Sequence, residues 1–313
     1  MTDGEFRRAF WHLDFLAALG GIRHVKAEHW SVHFEGHQPK AETIVIEDRI
    51  HFPKNHPFLE AYDRLKTIAG DYPIKYTIPS PSMLHLICAV REANYKPTAF
   101  YEAHPEKLFE DLADTWVDAM LALYERGCRY LQFDDTSWGE FCSLEKRAAY
   151  AARGIDVDWT ARRYVEVLNR ILEKKPADMT VTMHICRGNF RSTWFSSGGY
   201  EPVAEILFAH AKVDGFFLEY DTDRAGGFEP LRFIKDQTVV LGLITSKFPE
   251  LEKKEEVKAR IEEASKYVPL EQLCLSPQCG FSSTEEGNIM TEDEEWAKVR
   301  LVREIADEVW GDK

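Results

Sequence analysis

At 313 residues with 44% apolar side chains, the chain is long enough to bury one large core, and a single domain over 1–313 is expected. A formal charge of −14 repels phosphate backbones and anionic bilayers, which excludes nucleic acid as an expected partner. No run approaches the roughly 20 apolar residues of a membrane span, and Met1-Thr-Asp-Gly-Glu-Phe-Arg-Arg lacks a signal-peptide core, so a cytosolic protein with no membrane association is expected.

In chain order, residues 1–8 read as a loop leaving a strand that should lie upstream. Residues 22–34 and 43–52 alternate apolar and polar side chains, which predicts an antiparallel excursion around 22–52. Residues 73–78 read as a strand. Leu108, Leu112, Trp116 and Met120 recur at helical spacing, Gly127 supplies the stop, and 129–135 reads as a strand ending in carboxylates. Four more strands are predicted over 179–186, 215–220, 238–244 and 273–278, with helices over 163–174, 203–212 and 255–267 between them. Thr291-Glu-Asp-Glu is a capping-box pattern that opens a last helix through Trp296, Val299, Val302 and Ile305 to about Trp310.

This alternation predicts an α/β fold, a TIM-type (β/α)8 barrel. Six parallel strands are countable and a closed barrel needs eight. The chain is therefore expected to lack the first strand and most of the second.

The six cysteines are too few for a disulfide framework in a chain of this size, so each is expected to be a thiol or a metal ligand. His184 and Cys186 stand two apart on a predicted strand, so their side chains share a face, and a zinc ion accepts that pair. Cys279 follows another strand at its carboxyl end, the rim where barrel active sites sit. Glu219 ends the apolar run Gly215-Phe-Phe-Leu-Glu219, where an ionised carboxylate needs a cation or strong donors to offset its desolvation. An ion pair with Arg187 or Arg224 is the structural alternative for Glu219. Asp134 and Asp135 end a further strand on the same rim, suited to holding an ammonium group or steering a proton, with helix capping as the alternative for Asp135. Glu5 is a candidate second carboxylate for a cationic substrate group. Trp11, Trp30, Trp138 and Trp194 fall in or near rim loops and carry no assigned role. No glycine-rich phosphate cradle follows any strand, so no nucleotide cofactor is indicated.

Five segments together resemble the catalytic domain of cobalamin-independent methionine synthases and their short single-domain bacterial relatives. They are Thr2-Asp-Gly-Glu-Phe-Arg-Arg, Tyr130-Leu-Gln-Phe-Asp-Asp, His184-x-Cys186, Phe217-Leu-Glu-Tyr and Ser276-Pro-Gln-Cys-Gly, in the family's order. The resemblance implies that His184, Cys186, Glu219 and Cys279 bind one catalytic Zn2+, and that Asp134 and Glu5 hold the amino group of L-homocysteine beside it. It also implies transfer of a methyl group from 5-methyltetrahydrofolate or a related donor to the homocysteine thiol, giving methionine. Three departures mark this chain. The family's opening strand with its Gly-Ser turn has no counterpart before Met1. The loop that in long enzymes carries a proton-transferring histidine reads Leu241-Gly-Leu-Ile-Thr-Ser-Lys247. Residues 76–88 lack the tryptophan that stacks on the pterin.

Two thiolates and a carboxylate around a dication leave a net negative site, which preserves nucleophilicity on a bound thiolate and favours alkyl transfer over hydrolysis. Alkylation of another thiol such as coenzyme M, and a non-catalytic metal-binding barrel, are the competing expectations.

Overall fold

The computed structural model describes residues 1–5, 7–26, 34 and 42–311. Its first paired strands are β1 (Gly20–Lys26) and β2 (Glu42–His51), antiparallel with Ile22 opposite Ile46 and Val25 opposite Thr43. This is the excursion expected around 22–52, with its first strand beginning two residues earlier than predicted. Residues 27–33, including Trp30, lie outside the described residues. The pair is tied to the rest of the fold by Arg49, which donates to Asp111 at 2.7 and 2.9 Å, and by Tyr101, whose hydroxyl accepts from the Ile50 amide.

The main sheet has six strands, all parallel and in sequence order: β3 (Tyr76–Pro79), β4 (Tyr130–Asp135), β5 (Thr180–Ile185), β6 (Gly215–Glu219), β7 (Thr238–Ile244) and β8 (Leu273–Pro277). These are the six strands legible in the sequence. Buried residues run almost without interruption along β4, β5 and β7, as parallel strands covered on both faces require. The architecture is the α/β arrangement of TIM-type barrels. Among the described residues, the end strands β3 and β8 do not pair with each other.

Amphipathic helices cover the outer face. Helix Glu106–Glu125 buries Leu108, Leu112, Trp116, Met120 and Leu123, and the Trp116 indole donates to the Pro79 carbonyl at 2.8 Å, fixing this helix to the end of β3. The helix predicted over 163–174 spans Val157–Leu172 and starts earlier because Asp156 caps it, accepting from the Trp159 amide at 2.9 Å. The last helix, Glu292–Trp310, opens on the predicted reciprocal capping box of Thr291 and Glu294.

Residues 1–5 and 7–11 lie along the side of the sheet between β3 and β8. Met1 accepts from the Lys75 amide at 2.9 Å, Arg8 donates to the Thr77 carbonyl at 2.7 Å, and residues 9–11 pair with 283–285 beyond β8. The segment thereby runs from the amino end of β3 to the loop beyond the carboxyl end of β8, beside both edge strands.

Gly242 in β7 sits opposite Glu219 and Ser276, and a Cβ there would lie 2.8 Å from the Gln278 Cα and 2.9 Å from the Leu218 carbonyl oxygen. Both neighbours are backbone, so neither can give way cheaply. The G242A variant is expected to lose about 1–3 kcal/mol of stability, seen as a lowered midpoint in thermal or urea unfolding.

Candidate metal centre

Parallel register brings the ends of neighbouring strands to one level. Asp134 on β4 is paired with His184 on β5, and Glu219 ends β6 beside Gly242 of β7. Cys186 lies one residue past β5 and Cys279 two past β8. One ligand atom from each of His184, Cys186, Glu219 and Cys279 lies within 4.8 Å of all the others. The four residues singled out from scattered segments are thus together at one point.

His184 is oriented for this cluster. Its Nδ1 lies 3.4 Å from an Asp134 carboxylate oxygen and its Nε2 lies 3.6 Å from Glu219. The Nε2 atom is buried and has no hydrogen-bond partner. A carboxylate behind one ring nitrogen and a buried, unpartnered second nitrogen facing two sulfurs is the arrangement that metal-binding histidines adopt. The donor set of imidazole, two thiols and a carboxylate suits zinc better than a hard cation.

The electrostatics follow from crowding these groups out of water. Burial opposes charge on His184, yet Asp134, Cys279 and Glu219 outweigh it and raise the imidazole well above the usual histidine range. Glu219 is fully buried. Burial disfavours its ionisation, but His184, the Lys247 ammonium and the Arg224 guanidinium pull its pKa down to about 2. Arg224 donates to Glu219 at 3.3 Å and to Asp221 at 2.8 Å, so the ion pair considered for Glu219 is present beside the metal cluster. The two sulfurs are 3.8 Å apart. The hydrogen bond between them and burial hold the Cys186 thiol far above its ordinary range, whereas Cys279, accepting that bond, is lowered.

A cavity of about 450 Å³ opens onto the cluster, lined by His184, Cys186 and Cys279 together with Glu5, Trp11 and Asp134 among others. Glu5 reaches it because the backbone turns through a left-handed conformation at Gly4 and Glu5, with φ of 60° and 59°; for Glu5 that is an uncommon and costly geometry. Its carboxylate accepts from Arg8 at 3.0 Å and from Thr77 at 3.2 Å. Burial raises the Glu5 pKa to about 7 against the pull of Arg8, with Asp134 and Asp3 adding to the rise.

Asp135 does not join this cavity. It is fully buried, accepts from the Ser137 amide at 2.6 Å and is held by the hydroxyls of Ser80, Ser82 and Ser137; the N-cap of the helix Ser137–Cys142 is Thr136, so Asp135 ties the end of β4 to serines rather than serving as the expected cap. Trp138 is buried in the core, and Trp194 lies under the Arg224 guanidinium, 5.0 Å away. Sequence reading missed Arg8, which stacks on Phe58 at 4.7 Å while holding Glu5, although the Glu5-x-x-Arg8 spacing hints at the pair. It also missed Gln278, whose amide donates to Glu219 at 3.3 Å.

Residues 3–308 match the family described as cobalamin-independent synthase, catalytic domain. The chain is 50% identical to the Bacillus subtilis uncharacterized protein YxjG and 48% identical to YxjH, in each case over 99% of this chain and 80% of the relative. Among solved structures, a Listeria monocytogenes protein provisionally assigned as a vitamin B12-independent methionine synthase superposes with a TM-score of 0.76 at 41% identity, covering 100% of this chain and 81% of its own. A Shewanella B12-independent methionine synthase, solved with selenomethionine, shares the fold at a TM-score of 0.71 and 20% identity, covering 99% and 82%.

A four-donor cluster with two sulfurs predicts a spectroscopic result. One equivalent of cobalt(II) should produce thiolate-to-metal charge-transfer absorption in the near ultraviolet, and Cys279→Ser should cut its intensity roughly in half, one of two thiolates being lost.

Proposed function

The chain belongs to the cobalamin-independent methionine synthase family, matching its catalytic domain, and from that membership we propose that it is a zinc-dependent methyltransferase acting on the thiol of L-homocysteine. The observation that carries this reading is one cavity lined both by three members of the four-donor cluster, His184, Cys186 and Cys279, with Glu219 buried beside them, and by the carboxylates Glu5 and Asp134. Bound zinc supplies the positive charge that keeps a substrate sulfur deprotonated near neutral pH, where a free aliphatic thiol is mostly protonated.

The protein's own groups do the positioning. Glu5 and Asp134 face the same cavity as the sulfurs and form an acidic wall that attracts the α-ammonium of an amino-acid thiol. The same wall disfavours a sulfonate such as that of coenzyme M, so among thiol acceptors the lining favours homocysteine. Asp134 also holds His184 from behind, coupling the substrate-binding wall to the metal ligand. The methyl group is assigned to a donor of the methyltetrahydrofolate type on the family relationship. The free state of all six cysteines fits a cytosolic, reducing compartment. No helix among the described residues is long and apolar enough to cross a membrane.

X-ray absorption at the zinc edge tests the reading directly. Two sulfur neighbours in the resting protein should become three when L-homocysteine is added; an unchanged shell would refute homocysteine as the bound thiol.

Acidity supplies a second test. Glu5 loses its charge as pH falls through about 7, so ammonium binding is strong above that pH and weak below it. The KM for homocysteine is expected to rise as pH drops below 7. Glu5→Gln should raise KM about tenfold or more at pH 8 and abolish this limb of the profile, with kcat changed much less.

A further inference from the structure

Lys247 stands in the loop after β7, is fully buried, and does not line the cavity. Its ammonium has three protons to give, and the structure uses all three: Nζ donates to the Gly188 carbonyl at 3.1 Å, to the Asn189 side-chain oxygen at 3.0 Å and to the Thr193 carbonyl at 3.2 Å. Each acceptor lies in the loop that follows Cys186. Asn189 carries the connection onward, its amide donating to the Gly280 carbonyl at 2.6 Å and to the Ser283 hydroxyl at 3.0 Å, in the loop that follows Cys279. Gly188, whose carbonyl Lys247 takes, also donates its own amide to the Cys186 sulfur at 3.4 Å.

One ammonium therefore ties together the three loops after β5, β7 and β8, and the only two sulfurs of the metal cluster are rooted in two of them. We propose that Lys247 is a positioning residue for the metal centre, acting through Asn189 to set the separation and aim of the Cys186 and Cys279 sulfurs. The assignment rests on the zinc reading of that cluster. Its buried positive charge also suits a site whose donors leave one net negative charge around a dication; the same charge favours the ionised forms of Glu219 and Cys279. With all three protons committed to oxygen acceptors of the protein and its side chain outside the cavity lining, Lys247 is not placed to exchange a proton with substrate.

The tie through Lys247 differs from a second one between the same loops. Asn288 accepts from the Ser192 hydroxyl at 2.6 Å and donates to the Ser246 and Phe281 carbonyls at 2.8 and 2.6 Å. That link involves no residue adjacent to either sulfur, so it serves as the control.

The test uses the full chain, titrated with zinc against a competing chelator and with cobalt(II) by absorption. Lys247→Met should weaken zinc binding 10- to 100-fold, the range typical when a ligand-orienting partner is lost, and should shift the thiolate-to-cobalt bands. Asn189→Ala, which cuts the same connection at its next joint, should shift those bands in the same way. Ser192→Ala should stay within about twofold of the parent with an unaltered cobalt spectrum. Should Lys247→Met not fold, Asn189→Ala decides alone. Parental affinity and spectrum in the Lys247 and Asn189 variants would overturn the proposal, as would an equal effect of Ser192→Ala. Failure of the parent protein itself to bind zinc or cobalt would instead remove the metal reading and the proposal with it.

Discussion

The structure depends on keeping several ionisable groups charged where water is scarce. Glu219 is fully buried at the end of an apolar strand, and an isolated carboxylate in such a place would take up a proton rather than remain ionised. It stays ionised because His184, Lys247, Arg224 and the Gln278 amide converge on it from four different segments. A cation bound among the same donors would complete that compensation. The rim loops are shaped by this requirement: their buried polar atoms are spent on holding charge in place.

Parallel strands make such convergence inexpensive. Neighbours in register end at the same height, so a residue at each strand terminus points into one shared space without any special loop. Asp134 beside His184 is a direct register pair, and Glu219 needs only to end the next strand. The sulfurs require more, since Cys186 and Cys279 lie past their strands in irregular backbone. There the hydrogen bonds of Asn189, Asn288 and Lys247 replace the ladder as the source of order.

This division explains what could be read from the residues alone. Six parallel strands, the antiparallel excursion and the final capped helix follow local rules of periodicity and turn chemistry, and each was legible within a residue or a few. The four candidate metal donors were legible because His184 and Cys186 stand two apart at the end of one strand and Glu219 and Cys279 lie at or just past the ends of two others. Gln278 and Lys247 were not, because their meaning lies in partners 54 to 59 residues away. Nothing in Ser246-Lys247-Phe248 distinguishes an ammonium with three internal acceptors from a solvated one. Asp135, adjacent to Asp134 and of like chemistry, is separated from it only by the strand's alternation: one faces the cavity, the other a nest of serines.

The carboxylates of the centre show how environment divides labour among identical groups. Glu219, surrounded by cations and donors, has its pKa pulled down to about 2, the ionised state that the proposed metal ligation requires. Glu5, on a strained turn in a loop, has one strong cationic partner in Arg8 against burial and two neighbouring acids, and sits at about 7. A group poised there gains its charge most readily when a cation arrives beside it, so an incoming ammonium both finds and creates its counterion. Were Glu5 held as low as Glu219, both would add permanent negative charge around two sulfurs and repel an incoming thiolate. Leaving one of them poised lets the cavity admit an ammonium without holding that excess charge beforehand.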